Sequence, residues 1–149
     1  MNIGRAAVSR LMGVVGRVLG GGFWVVWACT QGVALAGEPA VTPAELLAKY
    51  TAQAAQPAQP ARGQAFFTTT HGKEWSCASC HGTAPSLEAK HASTGKPIAP
   101  LAPAFNPKRF TDAAKTEKWF RRNCNDVLAR ECSASEKADV LAWLMTLKP

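Results

Sequence analysis

Downstream of residue 41, apolar positions recur with helical spacing between clear start and stop signals. Thr42-Pro43-Ala44-Glu45 is a capping box with proline in the first turn, and Leu46, Leu47 and Tyr50 then share one face of the helix it opens. Gln56-Pro57-Ala58-Gln59-Pro60 breaks that helix. A second helix is predicted over about Ala61 to Thr70, carrying Gly63, Phe66 and Phe67. The stretch from Thr83 to Pro107 holds Pro85, Pro97, Pro100, Pro103 and Pro107, which preclude a long helix or a central strand, so it reads as an irregular loop. Helical periodicity returns over Thr111 to Glu131 with Trp119, Phe120, Val127 and Leu128. Ser133-Ala134-Ser135-Glu136 is a second capping box, opening a last helix with Val140, Leu141, Trp143, Leu144 and Leu147 on a broad apolar face. No alternating strand pattern and no repeat is visible, so the expected architecture is all-α.

The first third of the chain has a different pattern. Arg5, Arg10 and Arg17 are its only charges before Glu38, an apolar stretch runs from Val18 to Cys29, and Ala34-Leu35-Ala36 follows. A basic start, a short apolar middle and an Ala-x-Ala end make a secretory signal, with cleavage expected after Ala36. The apolar stretch is short and glycine-rich against the roughly 20 residues that a membrane-spanning helix needs. Residues 1–36 are therefore read as a signal peptide, 37–149 as one domain, and the destination as the periplasm. Of 17 Lys and Arg, the three arginines leave with the signal; the remaining 14 face 10 Asp and Glu, a net charge of +4. Such a mild excess is not the footprint of a nucleic-acid binder, though it is compatible with an acidic protein partner.

Export places Cys77, Cys80, Cys124 and Cys132 in an oxidising compartment. Cys77-Ala78-Ser79-Cys80-His81 is C-x-x-C-H, the attachment signature of c-type haem. Two thiols three positions apart reach the two vinyl groups on one porphyrin edge, and the next residue supplies the proximal imidazole. A thioredoxin-like pair would follow a strand, and none is predicted here. A zinc site would need four spaced ligands, whereas Cys80 and His81 are adjacent and Cys124 and Cys132 form no second C-x-x-C. One motif implies one covalent haem c. A helix with Gly63 and Phe66, then this motif, then a last helix with Trp143 resembles the class I cytochromes c, whose first and last helices cross closely at a glycine and aromatic contact.

The second axial ligand decides the function. No methionine lies between His81 and Met145, and Met145 falls near the end of the last helix, where core packing is its ordinary role. His71 and His91 are the remaining imidazoles besides His81; His71, six residues before Cys77, falls on the proximal side, His91 in the loop is the better ligand candidate, and an exposed loop role is the more ordinary reading of both. The other candidate is Asn123. Trp119 and Phe120, four and three residues earlier, would lie on its helix face and wall an apolar pocket. Cys124 and Cys132 are the unassigned cysteines and could close a bridge beside it, or simply staple a small domain.

Several segments carry a more specific resemblance. Lys96-Pro97-Ile98-Ala99-Pro100-Leu101-Ala102-Pro103, Arg109-Phe110-Thr111-Asp112, Glu117-Lys118-Trp119, Arg122-Asn123-Cys124-Asn125 and Glu136-Lys137-Ala138-Asp139 look closely like the sphaeroides haem protein family. These are oxygen-binding monohaem cytochromes c related to cytochrome c″. The resemblance implies Asn123 as the ligand of ferric iron and a disulfide between Cys124 and Cys132; Trp119, from its place on the same helix face, is expected against the haem. It also implies a dihaem cytochrome c or a membrane cytochrome b as electron donor. A carboxamide oxygen is a hard, weak donor that suits Fe(III) better than Fe(II). The expected function is thus a redox-gated binder of oxygen, nitric oxide or carbon monoxide rather than an enzyme. A closed, purely electron-carrying cytochrome with His91 as ligand, and a reductase of oxygen or nitric oxide, are the alternatives.

Overall fold

The computed structural model describes residues 40–149; the signal segment and its cleavage position lie outside them. Helix starts fall where the capping chemistry puts them. In α1 (Pro43–Gln53) the Glu45 N–H donates to Thr42 Oγ1 at 3.2 Å and the Thr42 N–H donates to Glu45 Oε2 at 2.7 Å. Helix α2 (Pro60–Thr68) starts one residue before the expected range because Pro60 takes the first helical position, and it stops at Thr69, whose backbone is extended. Helix α4 (Ala113–Leu128) starts later than Thr111 because Asp112 is its cap, accepting from the Lys115 N–H at 2.8 Å. It ends before Glu131, at Ala129 in the left-handed conformation (φ 60°). Helix α5 (Ala134–Thr146) opens on the Ser133–Glu136 box.

Two short elements were not in the sequence pattern. The attachment motif is itself one turn of helix, α3 (Cys77–His81), closed at its start by Ser76 and Ser79 and at its end by Gly82 at φ 72°. Within the proline-rich stretch, β1 (Ala89–Lys90) pairs antiparallel with β2 (Pro97–Ile98), Ala89 opposite Ile98 and Lys90 opposite Pro97. Gly95 at φ 66° and a His91 N–H to Lys96 O bond of 2.9 Å close the turn between them. This hairpin corrects the expectation of a strandless loop; two-residue strands are too short to show alternation.

Helix α2 crosses α5 at Gly63, where a Cβ would run into the Asp139 backbone carbonyl. Only glycine allows that approach. Next to it Phe67 and Trp143 pack with ring centroids 5.0 Å apart. The crossing is also held by charge: Arg62 donates from Nε and Nη2 to the two Asp139 oxygens at 2.6 and 2.8 Å, and the Gln59 N–H adds a third bond at 2.7 Å. Helix α1 lies on α5 through Leu46, Tyr50, Ala138 and Leu141. Helix α4 joins that layer through Phe120, edge-on to Tyr50 at 5.8 Å, and through the Lys137–Glu117 pair at 2.7 Å. Phe110 leads into α4 at φ 60°, a costly conformation for a side chain with a Cβ. Its ring packs against both core clusters, which offsets that cost.

Candidate haem site

Helix α3 presents the attachment residues from a single turn. Cys77 and Cys80 are free thiols, both half-buried, and His81 follows directly. Cys77 packs against the Phe67, Val140, Trp143 and Leu144 cluster; burial pushes its thiol up to about 11, so it is protonated at neutral pH. The His81 ring lies 6.1 Å from that of Phe67. Burial first, then the nearby positive charge of Arg109 and then His91, push the imidazole down to about 4. It is thus neutral near pH 7, the form that ligates metal. His81 Nδ1 is buried without a hydrogen-bond partner. Two free thiols and one neutral imidazole on one turn are the donor set a haem c requires.

The stretch from Thr83 to Pro107 is fastened on this turn. The Ala92 N–H approaches Cys80 Sγ at 3.3 Å, seating the hairpin against the motif. The Leu101 and Ala102 N–H groups donate to Pro85 O at 2.8 and 3.1 Å. Arg109 donates from Nε to Pro100 O at 2.9 Å and from Nη2 to Ala99 O at 2.7 Å. Nothing in the local sequence pattern marks Arg109 for this role, since an arginine's backbone clamp leaves no periodic signal.

Asn123 is half-buried on α4, one turn after Trp119, which is 45% exposed. The adjacent Thr116, Phe120, Cys124 and Val127 face the core. Arg122 stacks over the Trp119 ring at 5.6 Å. Cys124 and Cys132 are joined in a disulfide with Cα atoms 5.6 Å apart, and both are buried. Because Cys132 immediately precedes the α5 cap, the bridge ties the last turns of α4 to the start of α5. Lys73 Nζ donates to Asn125 O at 3.3 Å, linking the loop before the attachment motif to the end of α4.

Neither spare histidine has both ring nitrogens free. His71 Nε2 donates to Phe66 O at 2.8 Å and its ring lies on Phe66 at 4.5 Å, at the end of α2. His91 Nδ1 accepts from the Ser93 N–H at 3.3 Å, which puts the proton of the neutral ring on Nε2. Met145 packs against the Leu46 and Tyr50 cluster.

An all-α chain with one such attachment turn is a monohaem c-type cytochrome, its cofactor a covalently bound haem c. Comparison with known proteins gives the family. Residues 53–144 match the family described as a domain of unknown function, DUF1924. The cytochrome c-type protein SHP of Cereibacter sphaeroides is 51% identical over 126 residues, 82% of this chain and 95% of that protein. Cytochrome c″ of Methylophilus methylotrophus is 52% identical over 80 residues, 54% of this chain and 56% of that protein. The solved structure of oxidised SHP, an oxygen-binding cytochrome c, superposes with a TM-score of 0.67 at 47% identity, over 72% of this chain and 98% of that one. Oxidised cytochrome c″ gives a TM-score of 0.65 at 43% identity, over 72% and 95%. The chain belongs to the family of SHP and cytochrome c″.

Proposed function

We propose that this is a periplasmic one-electron acceptor in which Asn123 closes the distal side of the oxidised haem, withdraws on reduction, and leaves room for oxygen, nitric oxide or carbon monoxide. Cys77 and Cys80 would hold the haem covalently, and His81 would supply an imidazole nitrogen to its iron. When bound, the haem supplies an iron that takes up one electron and, once ferrous, has affinity for diatomic gases. The rest is done by the chain. Asn123 offers a neutral carboxamide oxygen, a hard donor with little preference for a ferrous ion. Helix α4 fixes its position, the disulfide fixes the end of α4, and Trp119 supplies an apolar wall one turn away. The electron comes from a dihaem cytochrome c or a membrane cytochrome b.

The observation that carries this reading is the placement of Asn123, half-buried on α4 one turn after Trp119 and next to the Cys124–Cys132 bridge. Among the described residues Met145 packs in the α1–α5 core, and His71 and His91 each spend one ring nitrogen on a local hydrogen bond. The similarity to SHP, described as an oxygen-binding cytochrome c, points the same way. The test is Asn123→Ala in the holoprotein: the ferric absorption spectrum changes while the ferrous spectrum stays as in the parent. A ferric spectrum indifferent to the substitution removes Asn123 from the iron and the proposal with it.

A further inference from the structure

The outer face of α4 carries a column of uncompensated positive charge. Lys115, Lys118 and Arg122 stand at positions i, i+3 and i+7, so they share one side of the helix, and all are exposed. None has a carboxylate partner among the described residues, and beside them Arg121 has only a loose contact with Glu131 at 3.5 Å, both side chains 65% exposed. Between Lys115 and Arg122 the one acid, Glu117, turns inward to Lys137 at 2.7 Å, and exposed Asp126, one turn beyond Arg122, forms no salt bridge with it. The surface around the attachment turn is different: Glu74 stands beside Lys73, and Glu88 stands near Lys90 and Lys96, so acids are interspersed among the lysines.

We infer that the outer face of α4, and not the rim of the attachment turn, docks an acidic surface of the electron-donating protein. This rests on the reading of the chain as an electron acceptor. A field of one sign on one face steers an oppositely charged protein and raises its encounter rate. Arg122 places one of these charges against Trp119, one turn from Asn123, so a partner bound there sits on the helix that carries the proposed ligand. At the interface one electron leaves the partner's reduced centre, which is oxidised, and enters this protein, which is reduced; no bond or proton need move.

The test uses ferric holoprotein and, as donor, a reduced plant-type [2Fe–2S] ferredoxin, an acidic one-electron protein of low potential. The bimolecular reduction rate is read by stopped flow across a range of ionic strength. The charge reversal K115E/K118E/R122E lowers the low-salt rate at least tenfold and abolishes its decline with salt; K115Q/K118Q/R122Q gives an intermediate rate. The reversal K90E/K96E on the hairpin beside Cys80 leaves both unchanged. The inference is overturned if the hairpin variant carries the salt dependence, if no variant changes it, or if the α4 variants slow reduction equally at every ionic strength. It is overturned too if the α4 face binds anionic phospholipid vesicles but not the ferredoxin. Carbon monoxide binding is measured on the same ferrous variants. Its loss in all of them, parent included, defeats the gas-binding reading and leaves the docking result standing.

Discussion

Asp139 is a carboxylate set in the apolar face of α5, between Ala138 and Val140, and its side chain is 7% exposed. It is tolerated there because three donors reach it, two from Arg62 and one from the Gln59 backbone. Asp139→Asn keeps the shape but removes the charge and one acceptor. With Arg62 partly solvated, the expected loss is about 1–3 kcal/mol, read as a lower midpoint in denaturant unfolding of the ferric holoprotein. An unchanged midpoint contradicts the assignment. The sequence showed Asp139 only as a polar residue on an apolar face; its partner, 77 positions away, was out of reach of any local pattern. Glu136 gives the stability a pH dependence. The Arg130 hydrogen bond, assisted by the Ser133 backbone and opposed by burial, holds its carboxyl below the ordinary 4.5. A lowered folded-state value gives stability that is complete above 4.5 and disappears as pH falls through the lowered value. Glu136→Gln therefore lowers the thermal midpoint at neutral pH and makes its decline with acid shallower; parallel curves for the two proteins contradict this.

Elements were legible where a side chain announces a boundary. Thr42, Ser133 and the prolines at 43 and 60 mark helix starts by chemistry that works within three residues, and those starts stand close to where they were expected. The β1–β2 hairpin and the helical turn of α3 were not legible. Each is held by backbone and short side-chain bonds too local to impose a period. Helix α4 depends on a covalent tie as well as on packing. A loop closed by cysteines eight positions apart contributes about 2.5 kcal/mol by constraining the unfolded chain. The double replacement Cys124→Ala, Cys132→Ala should lower the unfolding midpoint accordingly. It should also raise hydrogen exchange in the last two turns of α4 above that in its first two. Uniform exchange along α4 indicates that the bridge does not hold the helix end beside Asn123.

At the scale of the molecule, the all-α cytochrome architecture and the attachment triplet followed from the sequence because both rest on fixed spacings. The proline-rich loop did not, because its path is set by bonds such as Arg109 to Ala99 and Pro100 that only the folded chain brings together. Two parts of the fold now have separate tasks. The α1, α2 and α5 layer, centred on Gly63, Phe67 and Trp143, packs against α3. Helix α4, packed on one face and charged on the other, would carry the proposed weak donor and meet the proposed partner. A weak distal donor should make ligation depend on the oxidation state, whereas a methionine thioether would hold in both. The most direct measurement is the optical spectrum of the dithionite-reduced holoprotein before and after carbon monoxide. The account predicts a five-coordinate, high-spin ferrous spectrum that converts to a carbon monoxide complex on mixing. A low-spin, six-coordinate ferrous spectrum that carbon monoxide leaves untouched would contradict it.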